Sequence, residues 1–210
     1  AVNYFTWYAR IQDNQSLSTI QTSFYLGAVA GVIGWLGLAR FGEKHKMYLL
    51  ATLGMSALLC MAFLLVGPGR FFGTGQVFPL LLGHVLGGLL ASAVWVLPAS
   101  MLADVADADQ LTSGQRREGI YFGILSFGEK IASGGALLVA GLSLNFFVHL
   151  NPGASTQTPR AIERLGMLYG PLPGLMLVGA ALLIIPYGLD RRAMRRIQEE
   201  LARRPDIGNS

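Results

Sequence analysis

Long apolar runs broken by short polar segments set the plan of this chain. A helix needs about 20 mostly apolar residues to cross a hydrocarbon core of about 30 Å. Four runs reach that length: 47–67, 77–104, 119–149 and 166–188. A fifth, 17–39, reaches it with a polar start. None carries the single polar stripe of a soluble amphipathic helix. Residues 1–9 are too short to span and read as the end of a helix that begins upstream. The pattern predicts an all-α, polytopic membrane bundle over 1–189, followed by a tail over 190–210 that contains a short amphipathic helix.

Composition agrees with this reading and removes several classes. Hydrophobic residues make up 52% of the chain and charged residues only 13%, where soluble domains carry about 25% charge. Cys60 is the sole cysteine, which excludes an intramolecular disulfide and a cysteine metal cluster. The net charge of +4 reflects orientation, not nucleic-acid binding. Arg40, Lys44, Lys46, Arg116, Arg117 and six tail arginines lie on one side of the spans. Arg10, Arg70, Arg160 and Arg164 lie on the other. Loops rich in Lys and Arg stay cytoplasmic. The C-terminus and the loops at 40–46 and 105–118 are therefore expected inside, and those near 10–16, 68–76 and 150–165 outside. In the tail, Met194, Ile197 and Leu201 share one face. Glu199–Arg203 and Glu200–Arg204 have pairing spacing, and Pro205 stops the helix. Such a cationic helix suits an anionic headgroup surface.

Catalytic patterns fail. The chain has no HExxH, no Walker loop and no Cys-x-x-Cys. The glycines of "GPGRFFG" (67–73) have the wrong spacing for a dinucleotide site. "GILSFG" (123–128) misses the serine-hydrolase elbow by one residue. An enzyme is not expected, nor is a resident cofactor. A metal site is not expected either, since His84 has no second ligand close in sequence.

The candidate chemistry lies inside the spans. Glu129 and Lys130 interrupt the run 119–149, which is otherwise uncharged. On a helical wheel, Gly123, Ser126, Ser133, Gly134, Leu137 and Gly141 share the Lys130 face. Small residues permit close helix approach in lipid, and a charge at that depth faces a bundle interior or a wet cavity. Lys130 is expected roughly 17 Å from the cytoplasmic end, near the midplane and too deep to snorkel. Glu129 points about 100° away and pairs with another helix or faces the same cavity. In the run 77–104, His84, Gly88 and Trp95 fall on one stripe, with a Gly83-x-x-x-Gly87 step and two prolines, Pro79 and Pro98. Those prolines predict a kink or tilt. Trp95 suits either stacking on a ring-shaped ligand or plain packing. The loop 102–119 sets Asp104 and Asp107 one helical turn apart, then Arg116, Arg117 and Glu118 after a turn. It reads either as a solvated loop or as an ionic latch.

"LADVADADQLTSGQRREGIYFG" (102–123), followed by a span carrying Lys130, resembles the glycoside–pentoside–hexuronide:cation symporters, the melibiose permease group of the major facilitator superfamily. The shared pattern is an Ala-Asp-x-x-Asp pair, a Gly-x-Arg-Arg-Glu-Gly turn and a lysine fourteen residues past the first arginine. "LARFGEKHK" (38–46) is similar to the inside-loop motif between helices eight and nine of that superfamily. The resemblance implies that the chain is the C-terminal six-helix half, from the end of helix seven through helix twelve. It implies that Lys130 joins the sugar and cation sites, and that Trp95 lines the sugar pocket. Ser126 would contact sugar, and Asp104, Asp107 and Arg116 would belong to a cytoplasmic salt-bridge network. Arg117 and Glu118 belong to the same motif. Glu129, like His84, is a cavity candidate with no role to carry over.

The expectation is thus a symporter of the cell membrane that couples sugar or glycoside uptake to sodium or protons by alternating access. It works with an N-terminal half that carries most of the cation site. The alternatives are a sodium-dependent lysophospholipid symporter of the same superfamily, and a non-transporting sensor or scaffold with a transporter fold.

Overall fold

The computed structural model describes residues 2–151 and 153–203. Its α-helices are α1 (Asn14–Ala39), α2 (Lys44–Leu65), α3 (Val77–Ser113), α4 (Glu118–Leu142), α5 (Pro159–Tyr169), α6 (Pro171–Ile184) and α7 (Arg191–Arg203). Two six-residue π-helical segments, Tyr4–Ala9 and Ser143–Val148, complete the helical structure, and no strand occurs among the described residues. Five segments are long and apolar enough to cross a membrane: α1, α2, α3, Glu118–Val148, and Pro159–Ile184.

The spans match the hydropathy pattern in number but not at every boundary. α1 begins at Asn14, earlier than the apolar run, because the Asp13 side chain caps it by accepting from the Ser16 amide at 2.7 Å. That bond also holds the Asp13 carboxyl below the usual carboxylate range. α3 continues past residue 104 to Ser113 and ends on Gly114 in the left-handed conformation. Pro98 lies within this one continuous helix. The run expected as one span over 166–188 is two helices. It starts at Pro159, which Thr158 caps by accepting from the Ala161 amide. It breaks at Gly170, before Pro171. Arg160 and Arg164, expected in a loop, therefore lie on α5. Hydropathy missed these turns because α5 is strongly two-faced, with Ala161, Leu165 and Gly166 buried among polar neighbours.

Two close helix pairs build the core. α1 runs along α3, where Gly27 and Gly31 approach the α3 backbone and Gly88 receives that of Phe24. A Cβ on Gly31 would sit 2.6 Å from the Leu89 carbonyl oxygen and 2.8 Å from its Cα. The Gly83-x-x-x-Gly87 step does not make this contact: a Cβ at Gly83 would meet nothing, and one at Gly87 only ordinary neighbours. The step that works is Gly88-x-x-x-Ser92, one residue round the helix. α2 packs between α3 and α6. There Gly170 and Gly174 lie against Leu59, Phe63, Ser56 and Cys60, and the Ser56 hydroxyl donates to the Gly174 carbonyl at 2.7 Å. The segment Tyr4–Ala9 seals one end, with Tyr4, Phe5 and Tyr8 buried against Phe63, Val66 and Leu80.

α4 stands apart. It has no buried residue and touches α3 and its own π-helical continuation, whose Val148 packs on Ala161 and Leu165 of α5. Both π segments end in a basic residue with positive φ, Arg10 at 55° and His149 at 57°. The amides of Ile11 and Leu150 then close the two ends onto the carbonyls of Phe5 and Leu144. Arg204 and Pro205, expected to pair with Glu200 and to stop the tail helix, lie outside the described residues.

Candidate functional site

Lys130 stands halfway along α4, with Ser126 one turn before it and Glu129 beside it, and all three are exposed. The small residues on its face, Gly123, Gly134 and Gly141, have open space where a Cβ would stand. Among the described residues, the face that was expected to pack closely stays exposed. Its small side chains leave a long shallow surface around a single ammonium group.

Trp95 lies on α3 and is 59% exposed, with Phe24 of α1 edge-on at 6.3 Å between ring centroids. One edge is fixed by α1 and the rest of the indole is free. His84 does not share that setting, although both residues fall on one stripe of the wheel. Its Nδ1 lies 2.7 Å from the Leu80 carbonyl oxygen, and its ring lies 5.7 Å from Phe5. The structure thus separates the stripe into a free tryptophan and a histidine packed at the α2–α3 seam. Gly88 between them is consumed by contact with α1.

The acidic and basic residues of 102–119 are held differently from the expected latch. Asp104 is 8% exposed and is gripped by Lys44, whose ammonium donates to both carboxylate oxygens at 2.8 and 2.7 Å. Lys44 also reaches the Ser100 carbonyl at 3.4 Å. Arg116 pairs with Glu118 at 3.0 Å, and Arg117 donates to the Gln115 side chain. Neither arginine reaches Asp104 or Asp107 within ion-pair distance among the described residues. The physical reason is the turn: left-handed Gly114 ends α3, and Arg116 and Arg117 are satisfied locally in an exposed loop.

Lys44 is the residue whose partner sequence reasoning passed over, since it counted toward orientation and the 38–46 loop motif and was given no acid to pair with. A signal was present. Lys44 opens α2, and a cation in a first turn opposes the helix dipole unless an anion compensates. Asp104 supplies that anion from α3. The pair lines a cavity of about 250 Å³ together with Glu43, Asp190, Arg191 and Arg195. Arg191 ties α7 to the α1–α2 turn by donating to the carbonyls of Phe41, at 2.7 Å, and Arg40. Tyr187 donates to the Met101 carbonyl at 3.2 Å, and Met194 is buried beneath α7. This end of the bundle is therefore a tied cluster of α1, α2, α3 and α7.

A partly buried pair of this kind is sensitive to losing one partner. Lys44→Ala should lower stability by about 1–3 kcal/mol. The exchange Lys44→Asp with Asp104→Lys should recover at least half of that loss. Arg116→Ala, which breaks an exposed pair, should change stability by less than about 1 kcal/mol. Thermal unfolding of the full-length protein in detergent reads all three. Equal losses for Lys44→Ala and Arg116→Ala would contradict this ranking.

Among the described residues no three His, Cys, Asp or Glu side chains come together as a metal cage. The ionic groups are monovalent pairs and single charges on helix faces. Such groups attract ions and polar solutes and change partners when helices move.

The chain was compared with known proteins. The sequence profile described as MFS/sugar transport protein matches residues 1–191. An uncharacterized symporter from Synechocystis is 29% identical over 199 residues, covering 91% of this chain and 35% of that protein. A sphingosine-1-phosphate transporter from Xenopus tropicalis is 28% identical, covering 84% of this chain and 32% of its own length. The human sodium-dependent lysophosphatidylcholine symporter 1 is 29% identical, covering 82% and 30%. The chain thus spans about a third of the length of these curated relatives. With apolar helices long enough to cross a bilayer several times and a profile match over nearly its whole length, the chain is a multi-pass membrane protein of the MFS/sugar transport protein family.

Proposed function

We propose that this chain is the C-terminal half of a cation-coupled symporter that works by alternating access. The observation that carries the reading is α4: a membrane-spanning helix with one lysine at mid-length, on a face of small residues that nothing covers among the described residues. An ammonium at that depth is costly unless it meets a wet cavity or an acid. On this reading the N-terminal half of the transporter supplies both, and Lys130 changes partner as cation and substrate bind. Trp95 offers a free aromatic face to a sugar ring, and Ser126 a hydroxyl one turn from Lys130. Sodium or a proton is the coupling ion, bound mostly by the N-terminal half. Glu129 stands beside Lys130 as a further cavity charge. The end carrying Lys44, Asp104 and α7 faces the cytoplasm of a cell-membrane transporter, in keeping with its arginines. There the Lys44–Asp104 pair and the acidic and basic residues of 104–118 form one side of a gate that rearranges on opening.

The substrate we assign is a sugar or glycoside. A second reading, a lysophospholipid carried with sodium, is favoured by the names of two relatives that handle single-chain lipids. Uptake into energised vesicles that contain the full-length protein separates them. A panel of labelled sugars and a lysophospholipid is offered with sodium or proton gradients imposed in turn. The expected result is gradient-dependent accumulation of one sugar. Accumulation of the lysolipid alone would select the second reading, and binding without accumulation of either would overturn transport.

A further inference from the structure

The end of the bundle opposite Lys44 carries a charged cavity lined by none of the residues assigned above to transport. α2 runs from Lys44 to Leu65, so the loop that follows it, 66–76, lies a full helix length away. A cavity of about 560 Å³ opens there, within the small-ligand range of about 300–1,000 Å³. Several segments meet in its wall: Tyr8 of the π segment Tyr4–Ala9 with Arg10 after it, Arg70 from loop 66–76, Gln157 ahead of α5, and Glu163 on α5. Of the basic residues at this end, Arg10, Arg70, Arg160 and Arg164, two thus converge on one cavity.

The walls are held in place by the fold. Tyr8 is buried, and its ring packs against both Gly67 and Gly166, where a Cβ on either glycine would stand 2.4 Å from a ring carbon. Its hydroxyl donates to the Phe63 carbonyl at 3.1 Å. Loop 66–76 is pinned by the Gly75 amide donating to the Ala9 carbonyl at 2.7 Å, and by the Gly67 amide donating to that of Gly73 at 2.9 Å. Gln157 is closed on Asn151: it accepts from the Asn151 amide and donates to its carbonyl. The two guanidiniums keep donors to give. That of Arg70 lies over the Phe63 ring at 4.6 Å and comes only to 4.0 Å from the Glu163 carboxylate, beyond hydrogen-bond length. Arg10 sits in left-handed backbone at φ 55°, and its exposed side chain makes no hydrogen bond or ion pair among the described residues.

Two guanidiniums and one carboxylate leave this cavity with one net positive charge. A planar carboxylate fills one guanidinium fork, whereas a tetrahedral phosphate offers oxygens to two. A phosphodiester carries a single negative charge, so it matches both the forks and the net charge. We infer that the cavity between Arg10 and Arg70 binds a phosphodiester, both guanidiniums donating to its unesterified oxygens. Lipid headgroups and dissolved solutes are both met where spans end, so the ester is either a headgroup or a soluble phosphodiester. The inference does not rest on which solute is transported.

The test uses the full-length protein in an uncharged detergent. It is titrated with radiolabelled glycerophosphoglycerol, the headgroup of phosphatidylglycerol freed of its chains. Phosphatidylglycerol itself is offered in a second arm, and bound lipid is counted by native mass spectrometry. Saturable binding in the first arm shows that a soluble phosphodiester suffices; binding in the second arm alone identifies a lipid headgroup. In whichever arm binds, Arg10→Gln should weaken binding about tenfold, the worth of a charge-assisted hydrogen bond. Arg10 is exposed and supports no other residue by a polar contact among those described, so this variant should unfold at the same temperature as the unaltered protein. Arg70→Lys, which keeps the charge and loses the fork, should weaken binding about threefold or more. Glu163→Gln should tighten it about threefold, because it removes a carboxylate that competes for Arg70. Arg160→Gln is the control, exposed at the same end but outside the cavity wall, and should bind as the unaltered protein does. Binding in neither arm would overturn the site, as would full-strength binding by Arg10→Gln. Equal weakening by Arg10→Gln and Arg160→Gln would also overturn it, since diffuse surface charge would then explain the binding.

Discussion

Lys130→Ala in the full-length transporter is expected to abolish cation-coupled uptake, a loss of about 100-fold or more, with the protein still present in the membrane at its normal level. Stability should be nearly unchanged, because Lys130 is exposed and has no partner within the chain's described residues. The two readouts are therefore expected to separate: transport collapses and the unfolding temperature holds. Lys130→Arg keeps the charge but replaces a compact ammonium with a wide planar fork, and should recover only a minor part of uptake. The measurement is gradient-driven accumulation in vesicles, with equilibrium substrate binding in parallel. Normal coupled uptake by Lys130→Ala would refute the role assigned to α4. Lost uptake with a large fall in unfolding temperature would show that Lys130 acts in folding.

The second large effect lies at the α1–α3 seam. Gly31→Leu should prevent the bundle from assembling, and Gly31→Ala should cost about 1–3 kcal/mol as an overpacked contact. The cause is backbone, not side chain. A Cβ at Gly31 meets the Leu89 carbonyl and Cα on a neighbouring helix, atoms that move only if the helices separate. Helix separation would also stretch the bond from the Trp35 indole to the Leu89 carbonyl, now 2.7 Å. Gly34→Leu is the control, on the same helix and with nothing within 4 Å of its Cβ. It should fold and insert as the unaltered protein does. Membrane yield and thermal unfolding of the three variants decide the matter, and similar behaviour of Gly31→Leu and Gly34→Leu would contradict the packing described.

Much of the architecture is visible in the order of residues. Spans declare themselves because a bilayer demands long apolar helices, and local composition meets that demand without help from distant parts of the chain. The five spans, the tail helix and Lys130 at mid-span all follow from that local rule. Local chemistry also explains the capped starts of α1 and α5, which hydropathy alone set several residues too late. The glycine step on α3 shows where such reasoning stops. Gly83, Gly87 and Gly88 are equally small and closely spaced in sequence, and only the rotation of α3 against α1 picks Gly88.

Charge pairing follows the same division. A reading along the chain joins Asp104 to the nearest basic residues, Arg116 and Arg117, yet the folded chain gives it Lys44, sixty residues away. The choice depends on which helix ends meet in space, and on Gly114 turning the following loop toward solvent. His84 and Trp95 share a stripe on paper and are divided in the fold, because neighbouring helices contact α3 differently along its length. The membrane environment, a solvent acting on each segment separately, writes the spans and the mid-span lysine into the residue order. Partners across helices are chosen by rotation, depth and crossing of packed elements, which no single segment encodes; Lys44 on Asp104, Gly88 against Phe24 and the cavity between Arg10 and Arg70 exist only once the helices have met.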